Sequence, residues 1–134
     1  ETLEDRMKIA DKLVNGLVQN NVKVENIYVD PLVQPLSVNN TFGTEFLAAI
    51  EQIIKTFPGI HTMCGLSNIS YGLPNRKFMN QLFMTQAIAK GLDGAIVDPL
   101  DLKMMASIIG AEALYGKDNY CMKYLKASRK GLFD

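Results

Sequence analysis

Apolar positions along the chain fall into helix-spaced runs separated by short, dense ones. Met7, Ala10, Leu13, Val14, Leu17 and Val18 recur at helical spacing. Thr2 and Asp5 precede that run like a capping box, with Asp in place of Glu or Gln. Asn20-Asn21 ends the helix. Residues 24–29 are then short and β-branched and close on Asp30-Pro31, which reads as a buried strand. Residues 31–43 hold two prolines and Gly43, and read as a loop. Thr44 is placed to cap the next helix, which carries Phe46, Leu47, Ile50, Ile53 and Ile54 on one face until Pro58-Gly59 stops it.

The same alternation then repeats. Residues 60–66 predict a second strand and residues 67–75 a polar loop rich in Gly and Pro. Met79, Leu82, Phe83, Ala87 and Ile88 mark a helix stopped by Gly91. Gly94-Ala95-Ile96-Val97 predicts a third strand, ending at Asp98-Pro99. Asp101 starts a helix bearing Leu102, Met105, Ile109 and Ala113, which Gly116 breaks. A last helix over residues 118–130 packs Tyr120, Tyr124 and Leu125. No internal repeat or low-complexity tract stands out. The order α-β-α-β-α-β-α-α predicts an α/β chain with a parallel sheet and right-handed crossovers.

Composition narrows this picture. Apolar residues make up 48% of the chain, enough for one core, and 14 basic residues balance 14 acidic ones. No broad field for DNA or an anionic membrane follows. Lys123, Lys126, Arg129 and Lys130 cluster near the end and read as a solvated helix face. Cys64 and Cys121 lie far apart, and His61 is the only histidine, so no metal site has suitable ligand spacing. The thiols suit a reducing cytoplasm. No apolar run is long enough for a bilayer, and residues 1–5 do not open a signal peptide. A cytoplasmic protein is expected.

Each predicted strand delivers polar residues where it stops: Asp30, then Ser67 and Asn68, then Asp98. Barrel enzymes place function on such strand ends, and open doubly wound sheets share the rule. Neither G-x-G-x-x-G nor G-x-x-x-x-G-K-[ST] is present, so nucleotide binding lacks its usual support. A full (β/α)8 barrel takes roughly 250 residues, about twice this chain. Pattern alone leaves barrel and open sheet evenly matched.

The segment Cys64-Gly65-Leu66-Ser67-Asn68-Ile69-Ser70-Tyr71-Gly72-Leu73-Pro74-Asn75-Arg76 resembles the pterin-binding strand and loop of methyltetrahydrofolate:corrinoid methyltransferases. Less closely, it resembles the folate module of cobalamin-dependent methionine synthase. Ile27-Tyr28-Val29-Asp30-Pro31-Leu32 is similar to the family's sixth strand and Ala95-Ile96-Val97-Asp98 to its eighth. The stretch from Tyr120 to Leu125 is similar too. The resemblance implies that residues 1–134 are a single partial domain, the C-terminal part of a pterin-binding TIM barrel, about strands six to eight with their helices. It implies methyl transfer from N5 of 5-methyltetrahydrofolate to cobalt in a corrinoid (cobalamin) held by a partner protein, with no metal of its own.

The same resemblance assigns roles. Asp30 would accept hydrogen bonds from the pterin's 2-amino group and N3–H, or else only cap its own turn. Asn68 would serve catalysis and binding, because a neutral amide can donate to or accept from N5 as its charge changes. Gly65 would let the ring lie against the backbone, Ser67 would bond the pterin or its own turn, and Ile96 would wall the pocket. Arg76 would contact the benzoyl-glutamate end, fasten the loop, or stand as a solvated charge. Tyr71 departs from the branch specific for a corrinoid/iron–sulfur protein, which has glutamine there, and resembles the methionine synthase branch. Asp98 and Asp101 would order the rim, with helix capping expected of Asp101. Two alternatives remain: an enzyme like dihydropteroate synthase, whose Ser-Arg-Lys and Arg-x-His elements are absent here, and an inactive half-barrel acting as a binding module. Expected partners are a corrinoid protein, the chain's own N-terminal half-barrel and a second copy in a homo-oligomer. An incomplete pocket predicts weak or no turnover by this half alone.

Overall fold

The computed structural model describes residues 2–134. The run behind Thr2 forms α1, Leu3–Gln19. Its start carries the reciprocal pair expected: the Asp5 N–H donates to Thr2 Oγ1, and the Thr2 N–H donates to Asp5 Oδ2 at 3.0 Å. The other long helices are α2 (Phe42–Thr56), α3 (Arg76–Ala89) and α4 (Leu102–Leu114), with a short α5 (Met122–Arg129). Helices α1, α3, α4 and α5 stop by one device, a left-handed residue followed by a six-to-one backbone bond, at α5 through Gly131 (φ 72°) and the bond from Leu132 N–H to the Ala127 carbonyl. Asn21, Gly91 and Gly116 hold φ of 64°, 108° and 83°. The bonds run from Val22, Leu92 and Lys117 N–H to Leu17, Ala87 and Glu112 carbonyls.

The strands are β1 (Tyr28–Val29), β2 (His61–Gly65) and β3 (Gly94–Ile96), parallel and ordered β1-β2-β3. Register pairs Tyr28 with His61, Val29 with Thr62, Cys64 with Ala95 and Gly65 with Ile96. Thr62 and Cys64 are fully buried. Cys64 joins a core with Phe46 and Ile50 of α2, Phe83, Met84, Ala87 and Ile88 of α3, and Met104 and Ala111 of α4. A second cluster joins Ala10 and Val14 of α1 to Ile27, Ile53 and Ile60. Consecutive helices pack on one another from α1 to α5. The helices thus cover the face bearing Thr62 and Cys64, whereas His61, Met63 and Gly65 turn to the other face. No helix among the described residues is long and apolar enough to cross a membrane.

Several expectations need correction. Residues Val24–Asn26 form a 3-10 turn, leaving β1 only two residues long; polar Glu25 and Asn26 interrupt the β-branched run. The strands are not buried on both faces, since Ile96 is 69% exposed and Tyr28 55%. Thr44 does not cap α2; it lies in the first turn, and its Oγ1 donates to the Thr41 carbonyl at 2.9 Å. On α1 and α3, Leu13, Leu17, Val18 and Leu82 are exposed rather than packed. The last predicted helix is broken: Asn119–Cys121 is a 3-10 turn in which Tyr120 and Cys121 adopt positive φ of 57° and 54°. Tyr120 is 93% exposed, and Tyr124 and Leu125 are also exposed. The break follows from Asp118, whose carboxylate accepts the Lys123 and Tyr124 N–H groups at 2.9 Å each and so starts α5 late.

Those backbone bonds, the Lys123 N–H first, hold the Asp118 carboxyl below its ordinary value of 3.8, helped by the Lys123 charge. A carboxyl lowered in the folded state contributes stability above its unfolded value, lost as pH falls through the folded one. Asp118→Asn should therefore weaken α5 at neutral pH and flatten the acid limb of a urea-midpoint-against-pH curve. An unchanged acid limb would assign that dependence to other groups. Gly91→Ala should cost roughly 1–3 kcal/mol, because its φ is 108° and a Cβ would stand 2.5 Å from Ile54 Cδ1. Urea denaturation measures this; an unshifted midpoint contradicts the account.

Candidate functional site

The C-terminal ends of the strands are built around a 3-10 turn, Leu66–Ser70, directly after β2. Leu66 and Ile69 are three residues apart, matching the period of that turn, and both are buried. Ser67 and Asn68 consequently face outward and are exposed. The Asn68 carbonyl accepts the Tyr71 N–H at 3.1 Å. Its side-chain amide forms no hydrogen bond among the described residues.

Arg76, at the start of α3, clamps this turn. Its Nη2 donates to the Ser67 carbonyl at 2.9 Å and its Nε to Ser70 Oγ at 3.1 Å. The Ser70 hydroxyl is buried and donates to Asn80 Oδ1 at 2.7 Å. The guanidinium also lies 5.9 Å from the Tyr71 ring centroid, a cation–π arrangement. Of the three roles open to Arg76, the structure supplies the fastening one. The loop after β1 is tied in as well: Ser37 Oγ donates to the Tyr71 carbonyl at 2.7 Å, and Leu36 N–H to the Ile69 carbonyl at 3.1 Å. Gly72 permits this approach, since a Cβ there would meet Ser37 Oγ at 3.1 Å.

Asp30 and Asp98 end β1 and β3 in the same way. Each Oδ1 accepts an N–H two residues on, from Leu32 and Leu100 respectively, at 2.9 Å. The turn is thus real for Asp30, but its Oδ2 accepts nothing among the described residues. Asp30 stands close enough to Cys64 that its charge, after burial, helps push that thiol up to about 12. Cys64 therefore stays neutral and is no nucleophile. Asp101 Oδ1 caps α4 through the Met104 N–H at 3.1 Å, as expected.

Gly65 has φ of −88°, which any residue adopts, so its backbone does not require glycine. A Cβ there would meet nothing within 4 Å. The missing side chain leaves open space on the uncovered sheet face, beside its strand partner Ile96. Ser67 and Ile96 also line a cavity of about 480 Å³ with Asp98, Asp101, Lys77 and Asn80. Arg76 lines a neighbouring one of about 840 Å³ between the starts of α3 and α4. Asp30, Gly65, Asn68 and Tyr71 line neither cavity. They stand on the open strand-end surface instead.

Comparison with known proteins settles the family. The chain is 42% identical over 130 residues to a methylcorrinoid:tetrahydrofolate methyltransferase of Eubacterium limosum, covering 97% of this chain and 48% of that protein. Methionine synthases of Mycobacterium leprae (strain TN) and Mycobacterium tuberculosis (strain ATCC 25618 / H37Rv) are 34% and 33% identical over 103 residues, 72% of this chain. The chain belongs to the methyltetrahydrofolate:corrinoid methyltransferase family. It spans about half the length of the first relative and 8% and 9% of the two synthases. No family model matches the chain.

Within this chain, three features escaped sequence reading. Ser70 and Asn80 complete the Arg76 clamp, and the signal was the four-residue step from Arg76 to Asn80, which puts both on one helix side. The repeated Val-Asp-Pro-Leu at residues 29–32 and 97–100 marks the twin strand ends. His61 does have an acidic partner: its Nδ1 contacts Asp93 Oδ2, while Asp93 Oδ1 accepts the Thr62 N–H at 2.9 Å. That pair stands where β2 begins, at the end of the sheet away from Asn68, and ties two strands together. Among the described residues no group of three or more His, Cys, Asp or Glu is placed to hold a metal ion.

Arg76→Ala should loosen the turn without unfolding the core. Charged hydrogen bonds contribute about 1.5–3 kcal/mol each, so exchange of the Tyr71 and Leu36 amides should accelerate roughly tenfold or more. Arg76→Lys should recover only part, lacking the planar fork. Identical exchange in wild type and Arg76→Ala would show that the turn is held by other contacts.

Proposed function

We propose that the chain supplies the closing arc of a pterin-binding barrel, strands six to eight with their helices, within an enzyme that moves a methyl group between N5 of methyltetrahydrofolate and the cobalt of a corrinoid protein. Helices on one sheet face, in sequence order, support a barrel arc over a doubly wound sheet, which would carry them on both faces. The observation that carries the chemistry is the free Asn68 amide beside the open space over Gly65.

On this reading the pterin edge meets Asp30, whose second oxygen is unengaged, and the ring lies between Gly65 and Ile96. Ser67 and Tyr71 line the approach, and Arg76 binds indirectly by holding both in place. In the forward direction the reduced cobalt's electron pair forms the new bond to the methyl carbon. The N5–carbon bond breaks, its electrons stay on N5, and a proton taken up from solvent leaves N5 as the neutral secondary amine. Asn68 donates to or accepts from N5 according to whether N5 carries a proton, stabilising the change of charge in the transition state. The same contact serves the reverse direction, for which the Eubacterium relative is named. Cobalt belongs to the corrinoid partner, and no residue here needs to hold it. We place the reaction in the cytoplasm, where the free thiols Cys64 and Cys121 persist. The open edges of β1 and β3 seat the preceding half of the barrel, with a homo-oligomer as the competing use of those edges.

Asn68→Ala in the full-length protein should lower the methyl-transfer rate to cob(I)alamin about 10²–10³-fold, with a smaller loss in methyltetrahydrofolate affinity. Isothermal titration gives the affinity and cobalamin absorbance the rate. Equal rates for the two proteins would remove Asn68 from the mechanism.

A further inference from the structure

Arg76 turns its Nε and Nη2 inward, to Ser70 Oγ and the Ser67 carbonyl. The edge of the guanidinium that would grip a carboxylate is therefore occupied. Two other cations stand close by. Lys77 and Lys103 are the second residues of α3 and α4, and both are exposed. The ion pairs among the described residues involve other lysines, so both ammonium groups are without an acidic partner there. Both line the cavity of about 840 Å³ between the helix starts, together with Phe78, Gln81 and Leu100. Phe78 is 63% and Leu100 84% exposed, which puts apolar surface beside the cations. Lys77 and Asp101 also line the cavity of about 480 Å³ that includes Ser67 and Ile96. The two spaces thus adjoin, and a path leads from the strand ends outward to Lys103. Asp101 is the one acidic residue lining the outer cavity, and its Oδ1 accepts the Met104 N–H. Arg76, Lys77 and Lys103 outweigh it, so the outer cavity favours an anion.

We propose that this outer cavity holds the γ-glutamyl tail of the pterin donor, with Lys77 and Lys103 pairing its carboxylates and Phe78 and Leu100 covering the benzoyl ring. The protein then prefers a donor carrying several γ-linked glutamates to one carrying a single glutamate. This rests on the reading of Gly65, Asn68 and Ile96 as the pterin site. Each added glutamate brings one more carboxylate along an extended chain, and two cations at successive points of a path suit such a chain better than a compact anion. Lysine suits it too: a point charge on a flexible stem follows carboxylates at varying positions, where a planar fork demands one geometry.

The test uses the full-length protein and three ligands: 5-methyltetrahydrofolate with one glutamate, its γ-triglutamate, and 5,6-dimethyltetrahydropterin, which has no tail. Isothermal titration should show the triglutamate binding roughly tenfold more tightly than the monoglutamate, an advantage that shrinks as salt is raised. In the Lys77→Gln/Lys103→Gln double variant the two forms should bind within about twofold of each other. The same preference in wild type and variant overturns the proposal, as does a wild type that binds both forms equally. In either case binding of the tail-less pterin leaves the pterin site standing. Failure of all three ligands to bind removes that site, and the tail site with it.

Discussion

The burial of Thr62 and Cys64 is the constraint on which the remaining architecture depends. Both side chains point from β2 into the helices and are fully enclosed. Because a strand alternates with a period of two, His61, Met63 and Gly65 then have to face the other way. Register carries that choice outward, setting Tyr28 beside His61 and Ile96 beside Gly65. A one-residue slip would drive Gly65 into the core and Cys64 onto the open face. The core thus decides where the glycine lies, and with it where the uncovered face has open space.

The turn after β2 converts that placement into a fixed loop. Leu66 and Ile69 anchor it from below while Arg76, Ser70 and Asn80 hold it from the side. The division of labour is sharp: polar groups with partners position the backbone, and the side-chain amide of Asn68 is left unengaged. The shared Asx turns at Asp30 and Asp98 follow the same economy. One carboxylate oxygen shapes the chain, and at Asp30 the second remains free. Turn-making and ligand-binding readings of Asp30 therefore do not compete.

Much of this was legible from residue types alone. Helix ends were, because Asn21, Gly91 and Gly116 are among the few residues that hold positive φ cheaply. The polar strand ends were, because Asp-Pro and Ser-Asn break strands whatever lies around them. Burial was less legible. Leu13, Leu17 and Ile96 carry the periodicity of packed residues, yet all three are exposed. Periodicity reports the surface a residue is suited to cover, not whether that surface is present. The break at Tyr120 failed for a local reason instead: the Asp118 carboxylate captured two backbone N–H groups that a continuous helix would have used.

The kinds of group at the strand ends also bear on what chemistry they suit. Cys64 is held neutral by burial and by Asp30, and His61 is engaged with Asp93 at the far end of the sheet. Among the described residues the Asn68 amide has no side-chain hydrogen-bond partner. A general-acid mechanism would need a proton donor within hydrogen-bond reach. An amide needs none, since it offers an N–H to a nitrogen lone pair and a carbonyl to a nitrogen-borne proton. By microscopic reversibility a methyl transfer traverses the same transition state in both directions. A group that adapts to both charge states of N5 serves that state from either side. On the proposed reading, an amide at residue 68 is suited to serve the transfer in either direction.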